Sequence, residues 1–278
     1  MIGWNLYDIG NHRVSCPSCG RGPRDKTCGL TIKLNHSGVA HCHRCGFVET
    51  YRPERGARVA TPSAPRVLGR QQAQKHWTLS EYGRSMWKAC NPLSGVALDY
   101  LNSRHCYIPP ADADLRWHPD LKHGPSDHTG PALVARVTDA ETGTPLSLHR
   151  TWITSTGKAD IDPPRMLLGN HRKDGGVIRL CLDDAVTTTL GVGEGIETAL
   201  SLAWCGIPAW ALIDAGNLAK LPVLPGIESL VIGADNDPAG IAAANECAER
   251  WVSAGREVRI MTPKKQGHDW NDFLMEAV

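Results

Sequence analysis

The sequence of 278 residues predicts a protein of the α/β class, α+β overall, built from three successive parts. Two closely spaced cysteine pairs within residues 11–50 predict a small four-cysteine ribbon. Alternating apolar and polar residues between 130 and 182 predict an antiparallel hairpin, and strand–turn–helix patterns from residue 186 onward predict a parallel sheet flanked by helices. The predicted domains are the ribbon over 1–50, a basic linker over 51–70, a mixed α+β part over 71–182 and the sheet domain over 183–278.

Composition excludes several classes of protein. Hydrophobic residues make up 41% and charged residues 21% of the chain, which excludes a disordered or collagen-like protein. The apolar runs are too short for a transmembrane helix, and the first ten residues lack the basic start and apolar stretch of a secretory signal. We therefore expect a cytoplasmic protein without a membrane partner, whose ten cysteines are free thiols or metal ligands.

The net charge of +1 conceals an uneven distribution of charge. Residues 1–88 contain 14 Lys and Arg against 5 Asp and Glu, whereas residues 181–278 contain 6 against 14. The basic N-terminal part of the chain predicts anion binding, and the acidic C-terminal part predicts metal chemistry. An uneven spread of solvated surface charge is the alternative, and charge alone does not separate the two.

The middle part is expected to begin with two helices. Apolar residues recur at helical spacing over 71–90, and Asn91-Pro92 should end that helix before a second one from Val96 to Ser103. Turn-forming residues then separate two alternating segments, which predicts a hairpin. The predicted strands of this part are 131–139, 146–154 and 178–182.

Strand and helix patterns alternate in the C-terminal part. Short apolar runs are followed by longer amphipathic segments, and this alternation is typical of parallel strands joined by crossover helices. We expect a loop between residues 214 and 230. The predicted strands are 187–195, 207–214, 230–237 and 257–263, and the predicted helices are 196–206 and 238–255.

The cysteine pairs predict a zinc site. Cys16 and Cys19 form one C-x2-C pair, Cys42 and Cys45 form another, and the 22 residues between the pairs would include a hairpin from Thr31 to Val39. A glycine follows each pair, which allows the backbone to fold back so that the thiolates point at one ion. Four thiolates complete a tetrahedral site with Zn–S bonds of about 2.3 Å, so we expect one structural zinc ion.

The same segment offers alternatives to this ligand set. Cys28, His41 and His43 lie nearby, but Cys28 has no paired partner, and the two histidines should point away from Cys42 in an extended strand. Buried thiols without a metal are a second alternative. A redox C-x2-C pair is a third, although the segment lacks the βαβ pattern that accompanies such motifs.

Acidic residues directly follow two predicted strands. Glu194 comes after one apolar run and before a helix, and Asp235 and Asp237 come after another run. The carboxyl ends of parallel strands meet at one edge of a sheet, where α/β proteins build their sites. Hard carboxylate oxygens at one point favour Mg²⁺ or Mn²⁺, which predicts a divalent metal site for in-line displacement at phosphate.

These residues also have structural interpretations. Glu197 fits the first turn of a helix, where it would complement the helix dipole, and Asp237 before Pro238 fits a helix N-cap. The glycines around Glu194 are similar to a dinucleotide-binding loop, but Ile196 stands where that motif needs glycine or alanine. No P-loop motif occurs, which disfavours a P-loop ATPase within this sequence.

Three motifs, in this order, resemble those of a Toprim domain, and they are most similar to those of phage- and plasmid-type DNA primases. The motifs are GEGIETALS, IGADNDPAG and GHDWNDFL, at residues 193–201, 232–240 and 267–274. The four-cysteine ribbon adds to the resemblance, because these primases carry a zinc-binding domain ahead of the catalytic core. The segments that are similar to the basic N-terminal half of that core are 100–104, 148–151, 157–159 and Arg165.

The resemblance implies roles for individual residues. Glu194, Asp235 and Asp237 would organise a divalent metal ion. Asp269 would assist them, with Asp272 as a further acidic candidate. Basic residues would hold the template or the nucleoside triphosphate by charge, with an ordinary solvated charge as the alternative for each. These basic residues are Arg104, Arg150, Lys158 and Arg165.

The function that the resemblance implies is a DNA primase, which copies single-stranded DNA into short RNA primers from NTPs in phage, plasmid or mobile-element replication. Cellular bacterial primases use a Cys-His-Cys-Cys zinc set, and the four cysteines here depart from it. Because no helicase domain follows Asp272, we expect the replicative helicase on a separate chain or this sequence within a longer system. A Toprim nuclease and a non-catalytic zinc-ribbon accessory protein are the alternatives.

Residues 51–70 are rich in proline, glycine and arginine and poor in bulky apolar residues, which predicts an extended segment between folded domains. Limited proteolysis followed by mass spectrometry should therefore detect the first cut within 51–70. Cleavage within 186–278 while 51–70 stays intact would contradict the predicted domain division.

Overall fold

The computed structural model of this protein describes residues 2–20, 22, 25–33, 36–42, 44–52 and 77–277. The chain divides into two compact units, Met1–Gly69 and Arg70–Val278. Apart from residues 51 and 52, the predicted linker lies outside the described residues, and so do His43 and residues 71–76 of the first predicted helix. No helix in these described ranges is long and apolar enough to span a membrane.

The first unit contains a sheet of four strands, paired antiparallel in the order of the sequence. The strands are β1 (Gly10–Val14), β2 (Cys28–Ile32), β3 (Gly38–Cys42) and β4 (Val48–Tyr51). Alternate residues of β2 and β3 point to one face, where Leu30, Ile32 and Ala40 are buried. The register places Cys28 opposite Cys42.

The second unit contains, among its described residues, a nine-stranded sheet and six α-helices. The helices are α1 (Glu81–Ala89), α2 (Val96–Ser103), α3 (Ile196–Trp204), α4 (Ala215–Ala219), α5 (Pro238–Ser253) and α6 (Trp270–Ala277). The strands are β5 (Leu115–Lys122), β6 (Thr129–Asp139), β7 (Pro145–Trp152), β8 (Arg165–Leu167), β9 (Gly176–Arg179), β10 (Thr189–Gly193), β11 (Ala209–Ala211), β12 (Ser229–Gly233) and β13 (Glu257–Met261).

One sheet runs through the second unit in the order β13-β12-β10-β11-β9-β6-β7-β8, with β5 paired to β6. The pairs formed among β10, β11, β12 and β13 are parallel, whereas β9 is antiparallel to both β11 and β6. The predicted α/β class is confirmed, and the sheet as a whole is mixed. Because β9 joins the two halves, the parts predicted as 71–182 and 183–278 share one sheet.

Several elements differ from the sequence prediction. The helix predicted over 71–90 is observed as α1, which begins at Glu81 because Ser80 Oγ caps it by accepting the Gly83 amide. The strand predicted over 178–182 is β9, which begins two residues earlier because Gly176 and Val177 pair with the end of β6. The elements that were not predicted are β1, β4, β5, β8, α4 and α6.

Two glycines at the ends of β10 and β12 let α3 approach the sheet closely. A Cβ on Gly193 would lie 2.6 Å from Thr198 Cγ2, and a Cβ on Gly233 would lie 3.3 Å from the same atom. Seven of the nine residues of α3 are buried as a result of this close packing. The first turn of α3 is thereby fixed beside the residues that follow β10 and β12.

Candidate functional site

Four cysteines of the first unit form one cluster. The Sγ atoms of Cys16, Cys19, Cys42 and Cys45 all lie within 4.8 Å of one another. Cys16 Sγ is 3.7 Å from Cys45 Sγ, and Cys19 Sγ is 3.7 Å from Cys42 Sγ. Four sulfur atoms placed about 2.3 Å from a zinc ion at tetrahedral corners are about 3.8 Å apart, so the cluster could hold zinc.

Two of the other candidate ligands, Cys28 and His41, are described residues that lie outside this cluster. The backbone amide of Cys45, helped by that of Arg44, lowers the pKa of Cys42 to about 6 against the effect of burial. These amides stabilise the thiolate, which is the form of cysteine that binds zinc.

Acidic and basic side chains of the second unit meet in a pocket of about 460 Å³ at the carboxyl ends of β10, β11 and β12. A pocket of this volume is within the range of small-molecule binding sites. Its carboxylates come from residues that follow these strands, from α3 and from the start of α6. The charged or titratable residues that line it are His149, Lys158, Arg165, Glu194, Glu197, Asp214, Asp235 and Asp269.

Glu194 and Asp235 each carry a buried carboxylate oxygen, Oε1 and Oδ1, that accepts no hydrogen bond from the described residues. Gly240 in the first turn of α5 makes room for them. A Cβ there would lie 3.1 Å from Glu194 Oε1 and 2.7 Å from the carbonyl oxygen of Asp235. Buried charged oxygens without a donor are costly unless a cation binds them. These hard oxygen donors fit Mg²⁺ or Mn²⁺.

Burial and repulsion perturb both carboxyl groups. Burial, followed by the charges of Asp235 and Asp237, raises the pKa of Glu194 to about 7. Burial and the charge of Asp269 raise the pKa of Asp235 to about 6, although the charge of Arg165 opposes this shift. A bound cation would favour the ionised forms, so cation binding and deprotonation are coupled at this site.

Backbone hydrogen bonds bring the third acidic motif to the second. The Asn236 amide donates to the His268 carbonyl at 2.9 Å, and the Gly267 amide donates to the Asn236 carbonyl at 2.7 Å. The loop before α6 is thereby held against the loop after β12. Asp269 consequently lies in the same pocket as Asp235.

Two of the predicted acidic residues also cap helices. Asp237 Oδ1 accepts the Gly240 amide at 2.7 Å, so Asp237 is the N-cap of α5 and lies exposed beside the pocket. Asp269 Oδ1 accepts the Asp272 amide at 2.9 Å, and Asp272 Oδ2 accepts the Asp269 amide at 3.3 Å. This reciprocal arrangement fixes the start of α6. The metal role of Asp237 stays a prediction.

Two of the four predicted basic residues line the pocket. Lys158 Nζ lies 2.9 Å from Glu197 Oε1, and 33% of the Lys158 side chain is exposed. Arg165 on β8 is exposed and acts on the pKa of Asp235. Both cations are therefore placed to meet an anion that enters the pocket.

The other two predicted basic residues do not line it. Arg150 is buried on β7, where its Nη2 donates to the Leu167 carbonyl at 2.9 Å and its guanidinium lies 5.5 Å from the ring centroid of Trp152. Arg104 follows α2, and its Nη2 lies 3.5 Å from Asp272 Oδ1.

Glu197 lies in the first turn of α3, as the sequence predicts, and it also makes contacts that sequence reasoning missed. It is buried, and its Oε1 accepts a hydrogen bond from Tyr100 Oη at 2.7 Å in addition to the contact with Lys158. Burial raises the pKa of Glu197, but the Lys158 charge and the Tyr100 hydrogen bond outweigh it and hold the pKa at about 2. The carboxylate is therefore ionised.

Two further pocket residues were missed by sequence reasoning. Asp214 accepts the Asn217 amide at 3.0 Å as the N-cap of α4, and it pairs with Lys173. Its position at the end of a predicted strand was a signal that could have found it. Burial and the charge of Arg165 lower the pKa of His149 to about 4, so this imidazole is neutral at pH 7.

Two family models match the chain. Residues 77–180 match a family described as a domain of unknown function (DUF7146), and residues 189–277 match the Toprim domain. Residues 189–277 therefore form a Toprim domain, which confirms the resemblance carried by the three acidic motifs. The pocket is lined by residues of both matched segments.

Three solved structures are similar to the chain at 15% sequence identity. For the Aquifex aeolicus primase (zinc binding and RNA polymerase domains), the TM-score is 0.49, and 97% of this chain and 77% of that chain are covered. For the primase fragment of the bacteriophage T7 primase-helicase protein, the TM-score is 0.44, and 97% of this chain and 96% of that chain are covered. For a DNA primase domain from Pseudomonas aeruginosa, the TM-score is 0.38, and 69% of this chain and 58% of that chain are covered. This chain therefore spans less than two thirds of that structure. No curated protein sequence matches the chain.

The first prediction from the site concerns the four-cysteine cluster. Cys42→Ser should release zinc and unfold the first unit, because binding and folding are coupled in small thiolate sites. Metal analysis of the purified protein should find one zinc per wild-type chain and a large loss in the variant. Cys28→Ala is the matched control, because Cys28 lies opposite Cys42 but outside the cluster. This variant should keep its zinc. Wild-type protein without zinc, or loss of zinc from the control, would show that the ligand set is wrong.

The second prediction concerns the acidic pocket without a metal. The folded protein binds protons at Glu194 and Asp235 more tightly than the unfolded chain, with pKa values of about 7 and about 6. The free energy of unfolding of the zinc-loaded protein without Mg²⁺ or Mn²⁺ should therefore fall as the pH rises from about 5 to about 8. Urea denaturation across this range measures the fall.

The double variant Glu194→Gln/Asp235→Asn should reduce the pH dependence, because neither amide titrates. Asp120→Asn, at an exposed position on β5, is the matched control and should keep the wild-type slope. A double variant with the same slope as the wild type would show that these two groups do not carry the effect.

Proposed function

We propose that this protein is a DNA primase, a nucleotidyltransferase that copies single-stranded DNA into short RNA primers from NTPs in phage, plasmid or mobile-element replication. The proposal is supported by one observation above all. Carboxylates from all three Toprim motifs line one pocket together with two basic side chains. Joining two nucleotides needs side chains of both charges. Acidic groups hold a cation near the reacting phosphate, and basic groups bind the polyphosphate.

Acidic residues in the pocket and beside it would bind the cation, and a basic residue of the pocket would bind phosphate. Glu194, Asp235 and Asp237 would hold Mg²⁺ or Mn²⁺, which, when bound, lowers the charge barrier for attack of a 3′-hydroxyl on the α-phosphate. Asp269 would assist them, and its orientation beside Asp235 is fixed by the hydrogen bond that it accepts from the Asp272 amide at the start of α6. Arg165 binds phosphate oxygens and so fixes the direction in which the nucleotide enters.

The proposed substrates also agree with the rest of the chain. Residues 1–88 carry a large excess of Lys and Arg, and we propose that they bind the phosphates of the template strand. The four-cysteine ribbon would be held by zinc and contribute to template binding. A replicative helicase supplied by another chain stays a prediction.

Asp235→Asn should abolish primer synthesis, because the change removes one anionic ligand and keeps the shape of the side chain. Template binding should survive and weaken steeply with salt, since it depends on basic residues elsewhere. The paired measurement is primer synthesis from labelled NTPs and single-stranded DNA binding on the same preparation. The melting temperature of the apo variant should equal or exceed that of the wild type, because one of several repelling charges is gone. Asp120→Asn is the control for both assays.

Other outcomes separate the alternatives. Near wild-type synthesis by Asp235→Asn would show that the metal assignment is wrong. Joint loss of binding, synthesis and the melting transition would show that Asp235 is structural. Cleavage of DNA by the wild type without synthesis would favour a Toprim nuclease, and binding with neither activity would favour an accessory protein.

A further inference from the structure

A buried ion pair joins the two matched segments next to the acidic pocket. Glu197 lies in the first turn of α3, three residues after Glu194, and only 8% of its side chain is exposed. Its Oε1 lies 2.7 Å from Tyr100 Oη and 2.9 Å from Lys158 Nζ. Tyr100 and Lys158 belong to the segment 77–180, whereas Glu197 belongs to the Toprim domain.

Stability alone is a weak explanation for this pair. Taking two charges out of water costs about as much as their attraction returns, so buried ion pairs contribute little net stability. What such a pair does provide is position, because the stem of a lysine has four flexible bonds. Glu197 is itself held by Tyr100, which is 1% exposed. The Glu197 carboxylate is therefore held in one position, and its ion pair holds the Lys158 ammonium beside it.

Lys158 lines the pocket and has hydrogen-bond donors left for a ligand. An ammonium group has three N–H donors, and the contact with Glu197 Oε1 uses one of them. A third of the Lys158 side chain is exposed, and Lys158 lines the pocket together with Glu194 and Asp235. Glu197 thus differs from these neighbouring carboxylates, since two donors already occupy its oxygen. In protein kinases, a lysine that binds nucleotide phosphates is positioned by a glutamate in the same way.

We propose that Glu197 is a positioning residue, which holds the Lys158 ammonium in the pocket so that it binds the polyphosphate of an incoming nucleoside triphosphate. Tyr100 fixes Glu197 in turn. This inference rests on the proposed function for its substrate class. Phosphates of the template strand have the same chemistry, so the experiment compares both ligands.

The experiment measures equilibrium dissociation constants in the presence of Mg²⁺. The ligands are a nonhydrolysable nucleoside triphosphate, the matching monophosphate and a single-stranded DNA oligonucleotide. Glu197→Gln and Lys158→Ala should each weaken triphosphate binding about tenfold and change the other two constants by less than about twofold. Tyr100→Phe removes only the hydroxyl group and should weaken triphosphate binding about threefold. Lys122→Ala breaks an exposed ion pair outside the pocket and should behave as the wild type.

The double variant Glu197→Gln/Lys158→Ala tests whether Glu197 acts through Lys158. It should bind the triphosphate no more weakly than Lys158→Ala alone, because without the lysine the loss of Glu197 has no further effect on binding. Additive losses would overturn the proposal. In primer synthesis, Glu197→Gln should raise KM for NTP more than it lowers kcat.

Two further results would overturn the inference. A Glu197→Gln variant with a lowered melting temperature and an unchanged triphosphate constant would show a structural role only. Equal losses for all three ligands would show that Lys158 is not directed at the polyphosphate. Because binding is measured without synthesis, the two proposals are separable. A wild type that makes no primer would contradict the proposed function, whereas the expected losses of triphosphate binding in the variants would still support this inference.

Discussion

Repulsion between carboxylates at one sheet edge is the constraint on which the second unit depends. Because β10, β11 and β12 are parallel neighbours, the chain leaves each of them at the same edge. The acidic residues that follow these strands are Glu194, Asp214 and Asp235, and all three line one pocket. Such a cluster opposes folding unless each charge is paired, protonated or bound to a cation.

The fold meets this constraint in two ways. Asp214 and Glu197 each pair with a lysine of the segment 77–180, so their charges are balanced within the protein. Glu194 and Asp235 each keep a buried oxygen without a hydrogen-bond donor among the described residues, and their pKa values rise. The balanced carboxylates are fixed by their lysine partners, whereas the unbalanced ones keep oxygens whose chemistry fits a cation. One kind of side chain at one sheet edge thus has two different environments.

The features that could be predicted from the sequence are those set by local spacing. The cysteine pairs and the acids after β10 and β12 follow from patterns of a few residues, and the structure brings each group together. The environment of Glu197 could not be predicted, because Tyr100 lies 97 residues away in the sequence. The position of Arg150 was predictable, since alternation along β7 places it on the face of Trp152. β5 was missed because Pro119 and a shift of register interrupt its pattern.

The segment 77–180 provides the cations that the Toprim domain lacks. Residues 181–278 contain 14 Asp and Glu against 6 Lys and Arg, so this part of the chain cannot balance its own charge. Ion pairs between described residues cross from the segment 77–180 to the Toprim domain, and they include Lys158–Glu197, Lys173–Asp214 and Arg104–Asp272. The continuous sheet through β9 keeps these partners in register with the acidic edge. The pocket is therefore a property of both segments together, since the Toprim sheet alone would retain its acidic residues without the charges that balance them.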